Sequence, residues 1–104
     1  MIGSTWRIRY GNGLTFVVSY LAGDTVRWQA EHGVGLAATE EASIVALRPG
    51  QWMVNWLSAN GVTVTQVVDP DALHVTTFMT IVEDGVRRAE VMVGRMEPAD
   101  RAAG

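Results

Sequence analysis

Residues 40–61, EEASIVALRPGQWMVNWLSANG, settle whether this chain is helical or β. The opening EEASIVALR is the one stretch of the sequence that could pass for a helix. Pro49-Gly50 ends it after about two turns, because proline lacks an amide donor and glycine favours a turn. The next stretch, QWMVNWLS, reads as a strand with Trp52, Val54, Trp56 and Ser58 on one face. Asn60-Gly61 supplies another turn. The segment therefore predicts β-structure, and it poses a question: what are two indoles on one face for?

On either side, the same turn chemistry recurs at Gly11-Asn12-Gly13, Ala22-Gly23-Asp24, Asp69-Pro70-Asp71 and Glu83-Asp84-Gly85. Between the turns lie runs rich in Val, Ile, Thr and aromatic residues, at 5–10, 14–21, 25–30, 41–48, 51–58, 62–68, 73–82 and 86–95. Trp6, Ile8 and Tyr10 alternate with Arg7 and Arg9, and Val26, Trp28 and Ala30 alternate with Thr25, Arg27 and Gln29. Eight short strands in succession predict an all-β fold, an eight-stranded antiparallel up-and-down barrel without exposed sheet edges. A two-sheet sandwich is the competing arrangement. Residues 1–96 form one β-barrel domain in this reading, and 97–104 a flexible C-terminal tail with no apolar face.

Composition narrows the function classes. At 104 residues, 48% hydrophobic and 18% charged, the chain can bury one core and is not disordered. No apolar run approaches the roughly 18 residues of a membrane span. The N-terminal MIGSTWRIRY lacks the apolar core of a signal peptide, so a cytoplasmic location is expected. The absence of cysteine excludes disulfides, thiolate catalysis and cysteine-ligated metals. All eight basic residues are arginine, which excludes a lysine Schiff base and the usual pyridoxal-phosphate chemistry; no cofactor is expected. His32 and His74 are too few for a metal site without carboxylates gathered from across the fold, so none is expected. A formal net charge of −3 with no basic stripe argues against a nucleic-acid partner.

Motifs with chemistry are sparse. Gly33-Val34-Gly35 lacks the third glycine and the helix of a phosphate cradle, and reads as a strand connection. His32 and Glu31 would point to opposite faces of a strand, so His32 reads as a solvated loop residue. His74 shares parity with Thr76, Phe78 and Thr80. If that face is inward, it is a polar group at one end of a cavity; otherwise it is a rim histidine. Glu40-Glu41 read as solvated and Arg87-Arg88 as exposed. No Ser-His-Asp set can be assembled.

The aromatic residues carry more. Trp6, Tyr10, Phe16, Tyr20, Trp28, Trp52 and Trp56 each fall on one parity within their strands, leaving only Phe78 of the eight aromatic residues. They either fill a solid core or line a small-molecule cavity, where indole N–H and phenol O–H groups find partners.

The order of YGNG–LTF, TVRWQ, EASIVALRPGQWMVNWLSANGVTV and DPDALHVTT resembles the calycin-type, lipocalin-like barrels of MoaF-like proteins, and the bacterial phenolic acid decarboxylases that share this barrel. Tyr10, Asn12 and Gly13, then Gly50, Trp52, Val54, Trp56 and Gly61, carry the resemblance over about residues 5–82. It implies that Ile8, Tyr10, Trp52, Trp56 and Ser58 face the lumen. Of the decarboxylases' catalytic positions, Ile8, Leu36 and Ser58 stand where a tyrosine, an arginine and a glutamate would be required. Hydroxycinnamate decarboxylation is therefore not expected.

The leading expectation is a barrel binding a small hydrophobic or aromatic molecule, with Tyr10, Phe16, Tyr20, Trp28, Trp52, Trp56, Ser58 and His74 as ligand-binding residues. One alternative is a cyclase or isomerase acting by shape, in which Tyr10, Tyr20 or His74 supplies a proton or hydrogen bond. A structural barrel with a solid core is the other. Apolar residues of the opposite parity (Val17, Leu21, Val45, Leu47, Met53 and Leu57) exceed what a solvated wall needs, so a homodimer is expected.

Overall fold

The computed structural model describes residues 1–31, 36–58 and 61–99. They form eight strands: β1 (Ser4–Tyr10), β2 (Thr15–Leu21), β3 (Thr25–Ala30), β4 (Ala37–Arg48), β5 (Gln51–Leu57), β6 (Thr63–Asp69), β7 (His74–Glu83) and β8 (Val86–Pro98). Each strand pairs antiparallel with the next, and β8 returns to β1, closing the sheet into a barrel. The sandwich is excluded, since a closed sheet has no second layer.

Residues 40–57 of the opening segment lie in the β4–β5 hairpin, turned by Pro49 and by Gly50 at φ +80°. That left-handed backbone suits a residue without a Cβ. Val45 pairs with Met53 and Ile44 with Val54, and a register shift between Ala46 and Arg48 absorbs one residue before the turn. β4 begins at Ala37, earlier than the alternation alone suggested, because its first residues pair with β3 through Arg27–Thr39 and Val26–Glu40. β8 likewise runs past residue 95: Trp6 pairs with Pro98, and the Ala99 amide donates to the Thr5 carbonyl. The start of the expected tail is thus paired, and the rest, from residue 100, lies outside the described residues.

The core occupies the lumen. Ile8, Tyr20, Val26, Val54, Val68 and Val75 are fully buried, ringed by Val18, Val64, Met92 and Met96. Gly94 lets β8 approach this core, since a Cβ there would stand 2.8 Å from Ile8 Cγ2 and 3.0 Å from Tyr10 Cδ1.

One parity expectation needs correction. On β7 the inward residues are Val75, Thr77 and Met79, while His74 and Phe78 are exposed. Both faces of HVTTFMTIVE carry apolar groups, so alternation alone could not choose between them. The choice is made by register: Val75 pairs with Gly94 and Thr77 with Met92, both inward residues of β8. His74 therefore belongs to the outer wall and not to the cavity.

Candidate functional site

Tyr10 ends β1, Phe16 begins β2, Trp28 lies near the end of β3 and Trp56 near the end of β5. Antiparallel pairing brings these four positions to the same end of the barrel. There they enclose a cavity of about 140 Å³, completed chiefly by Val18, Val64, Met79 and Met92, with Ser58 and Val62 where β5 passes to β6. One wall is an edge-to-face run of rings: Tyr10 against Phe16 at 6.0 Å and 74°, and Phe16 against Trp28 at 6.1 Å and 77°. Such geometry sets the positive edge of one ring against the negative face of the next.

Beneath the rings runs a buried polar chain. The Tyr20 hydroxyl donates to Gln66 Oε1 at 2.7 Å, and Gln66 Nε2 reaches the Tyr10 hydroxyl oxygen at 3.5 Å. The Tyr10 and Thr77 hydroxyls share a hydrogen bond of 2.6 Å. Burial pushes the Tyr10 phenol up, and hydrogen bonds from Thr77 and Gln66 only partly oppose the shift. Tyr20, wholly enclosed, is pushed well above the usual tyrosine range, first by burial and then by the neighbouring Tyr10. Both phenols are protonated at neutral pH; Tyr20 donates to Gln66, while Tyr10 accepts from Gln66 and shares its bond with Thr77.

One buried polar atom of a lining residue stands apart. The Trp28 indole N–H is buried and has no hydrogen-bond partner among the described residues. Such a group costs about 1–3 kcal/mol when it stays unsatisfied.

The residues expected to bind a ligand are thus divided. Tyr10, Phe16, Trp28, Trp56 and Ser58 line the cavity. Tyr20 lies a layer below and meets it only through Gln66. Trp52 shares its face with Trp56, but it sits half-buried toward the opposite end, paired with Ala46 and Val68. The two indoles of the 40–61 segment therefore serve different ends of the barrel. His74 is outside. Glu31 ion-pairs with Arg7 on the outer wall, and its sequence neighbour His32, like Gly33-Val34-Gly35, lies outside the described residues.

Sequence reasoning passed over Gln66, Thr77 and Glu40. Gln66 was detectable: it interrupts Val64 and Val68 on the apolar parity of β6, and a polar residue there needs a partner. Glu40, read as solvated, is half-buried and accepts a hydrogen bond from the Ser58 hydroxyl. Its parity with Ala42 and Ile44 was the available signal.

A family model described as MoaF-like matches residues 2–95. The chain belongs to the MoaF-like family. No curated protein sequence matches it. Among solved structures it resembles one described as "a putative beta-lactamase from Burkholderia vietnamiensis", at 23% identity over 94% of each chain with a TM-score of 0.82. At that identity the likeness speaks for the barrel fold. Within this MoaF-like barrel, Ile8 is fully buried, Ser58 lines the cavity, and Leu36, between β3 and β4, is exposed.

Proposed function

We propose that this barrel binds a single-ring, largely apolar molecule carrying one hydrogen-bond acceptor, held between the Tyr10–Phe16–Trp28 wall and Trp56. The observation that carries the reading is a cavity walled by aromatic rings and lined mainly by apolar side chains, with the unpartnered N–H of one of those rings, Trp28, buried in the wall. A carbonyl or ether oxygen would satisfy that N–H once the lining shifts enough to open it to the cavity. The cavity volume is about 140 Å³. That suits a benzene-sized ring, since an apolar engineered cavity of about 150 Å³ takes up benzene. Polyenes and fused-ring compounds are too large without rearrangement.

Tryptophan fluorescence tests this, with Trp28 and Trp56 reporting from the site. Benzaldehyde is expected to perturb the emission saturably, and Trp28→Phe to weaken benzaldehyde several-fold more than toluene, because only the acceptor loses a partner. No saturable response to any single-ring compound would defeat the reading. The same lining gives no reason to expect carbon dioxide release from hydroxycinnamates, as Ile8, Leu36 and Ser58 provide neither a carboxylate clamp nor a proton donor.

We further propose that a second copy of the chain covers the outer wall of β4–β8. One register row there runs Val45, Met53, Val67, Thr76 and Val93, flanked by Phe78 and Val91. The outer wall around β1 carries the Arg7, Arg9, Glu31 and Glu97 ion pairs instead. A continuous apolar row on one side of a barrel suits a self-complementary twofold contact. Sedimentation as a dimer, converted to monomer by Met53→Glu, is the expected result; a monomeric wild type at micromolar concentration would exclude it.

A further inference from the structure

The carboxyl group of Glu40 lies one hydrogen bond behind the cavity lining, joined to it through Ser58, and the ring-binding reading above gives it no task. It lies near the start of β4 on the parity of the half-buried Ala38, Ala42 and Ile44, whereas Thr39, Glu41 and Ser43 are exposed. Its backbone partner is Val26 of β3, a fully buried lumen residue. The hydroxyl of Ser58, a lining residue, donates to Glu40 Oε2. One donor leaves most of the acceptor sites of a carboxylate open, and a half-buried carboxylate gains from each further donor it finds. Trp28, two residues beyond Val26 on the same strand, lines the cavity. Trp28 and the Ser58–Glu40 pair thus come to the cavity from β3, β4 and β5, which are neighbours in the sheet.

A serine–glutamate pair that served only to pin β4 to β5 could lie on the outer face, where water solvates the carboxylate at no cost. Here both residues take the lumen parity beside an apolar cavity. We infer that Glu40, held by Ser58, is a ligand-binding residue that accepts a hydrogen bond from a hydroxyl or N–H group of the bound ring. The ligand class narrows accordingly to small rings bearing both a donor and an acceptor, of which hydroxyaryl carbonyl compounds are the simplest. The inference rests on the cavity being a single-ring site.

Titration calorimetry with toluene and phenol, on wild type and on Glu40→Ala, separates the two ideas. The rings have the same size and differ in one donor, so the change in their affinity ratio isolates the contact with Glu40. Glu40→Ala is expected to leave toluene within about twofold while weakening phenol about tenfold, the worth of one charge-assisted hydrogen bond. Glu40→Gln should fall between, because its amide oxygen still accepts; it also decides the matter if the alanine variant does not fold. Equal weakening of both rings, or phenol binding unchanged in a folded variant, would make Glu40 a strand pin and overturn the inference while leaving the ring site intact. If neither ring binds the wild type, the single-ring reading fails and takes this inference with it.

Discussion

The two ends of the barrel are built from the same strands and the same inward parity, yet one is packed and the other hollow. At the packed end Trp6, Ile44, Trp52 and Met96 surround Ile8, Tyr20, Val26, Val54, Val68 and Val75, all six fully buried. At the other end Tyr10, Phe16, Trp28 and Trp56 enclose empty space. The difference lies in what faces the rings. The edge-to-face run holds three rigid rings along one wall, while Val18, Val62, Val64, Thr77 and Ser58, all short, share the rest of the lining with Gln66, Met79 and Met92. Rigid rings cannot bend into the space that the many short groups leave, and an apolar gap of this kind stays open. Aromatic parity therefore says which way a ring points, and the partner across the lumen decides whether it packs.

Truncation should separate the two ends most. Ile8→Ala at the packed end should lose about 2–5 kcal/mol of stability by denaturant unfolding. Val62→Ala, beside existing empty space, should lose under about 1 kcal/mol, since few contacts disappear. Comparable losses at the two sites would mean that the ends are equally packed.

Overpacking probes the border between them. Gly94→Ala forces a methyl against Ile8 and Tyr10. It should destabilise by about 1–3 kcal/mol, visible as a lowered melting temperature. A neutral substitution would show that β8 can shift outward freely.

Two conservative ring changes extend the contrast. Tyr20→Phe removes the donor to a buried Gln66, and should cost about 1–3 kcal/mol. Trp28→Phe removes an N–H that has no partner among the described residues. Stability should then fall by less than for Tyr20→Phe, since relief of about 1–3 kcal/mol from the unsatisfied N–H offsets the packing lost with the smaller ring.

The smallest effect at neutral pH is ionic. Tyr10 and Tyr20 are the chain's two tyrosines, and both phenols are shifted upward in the folded state. Their contribution is therefore fully present below the unfolded-state pKa of about 10. As pH rises beyond that, the unfolded chain releases protons the folded one retains, so stability falls. Phenolate absorbance at alkaline pH should accordingly appear together with unfolding. Phenolate forming while the barrel stays intact would show that the floor of the cavity is wet.

Most of the fold was legible in the sequence. Turn residues at regular intervals and clean alternation in β1 and β3 located those strands within a residue or two. Half of the site was legible for the same reason: Tyr10, Phe16, Trp28 and Trp56 each have apolar or aromatic neighbours on their own parity. The rest depended on pairing. β7 has apolar groups on both faces, so only its register with β8 could put Thr77 inside and His74 outside. Glu40 reads as a surface acid until Ser58, far along the chain, is brought beside it. Trp52 and Trp56 look equivalent in sequence because parity does not report position along the barrel axis.

Whether the lumen takes up a single ring at its hollow end is best decided by diffraction from crystals soaked in bromobenzene. One anomalous bromine peak is expected inside the barrel, bounded by Phe16, Trp28, Trp56 and Met92, with the Ile8–Val68 end unchanged. A lumen without bromine, or bromine only on the outer wall of β4–β8, would contradict single-ring binding.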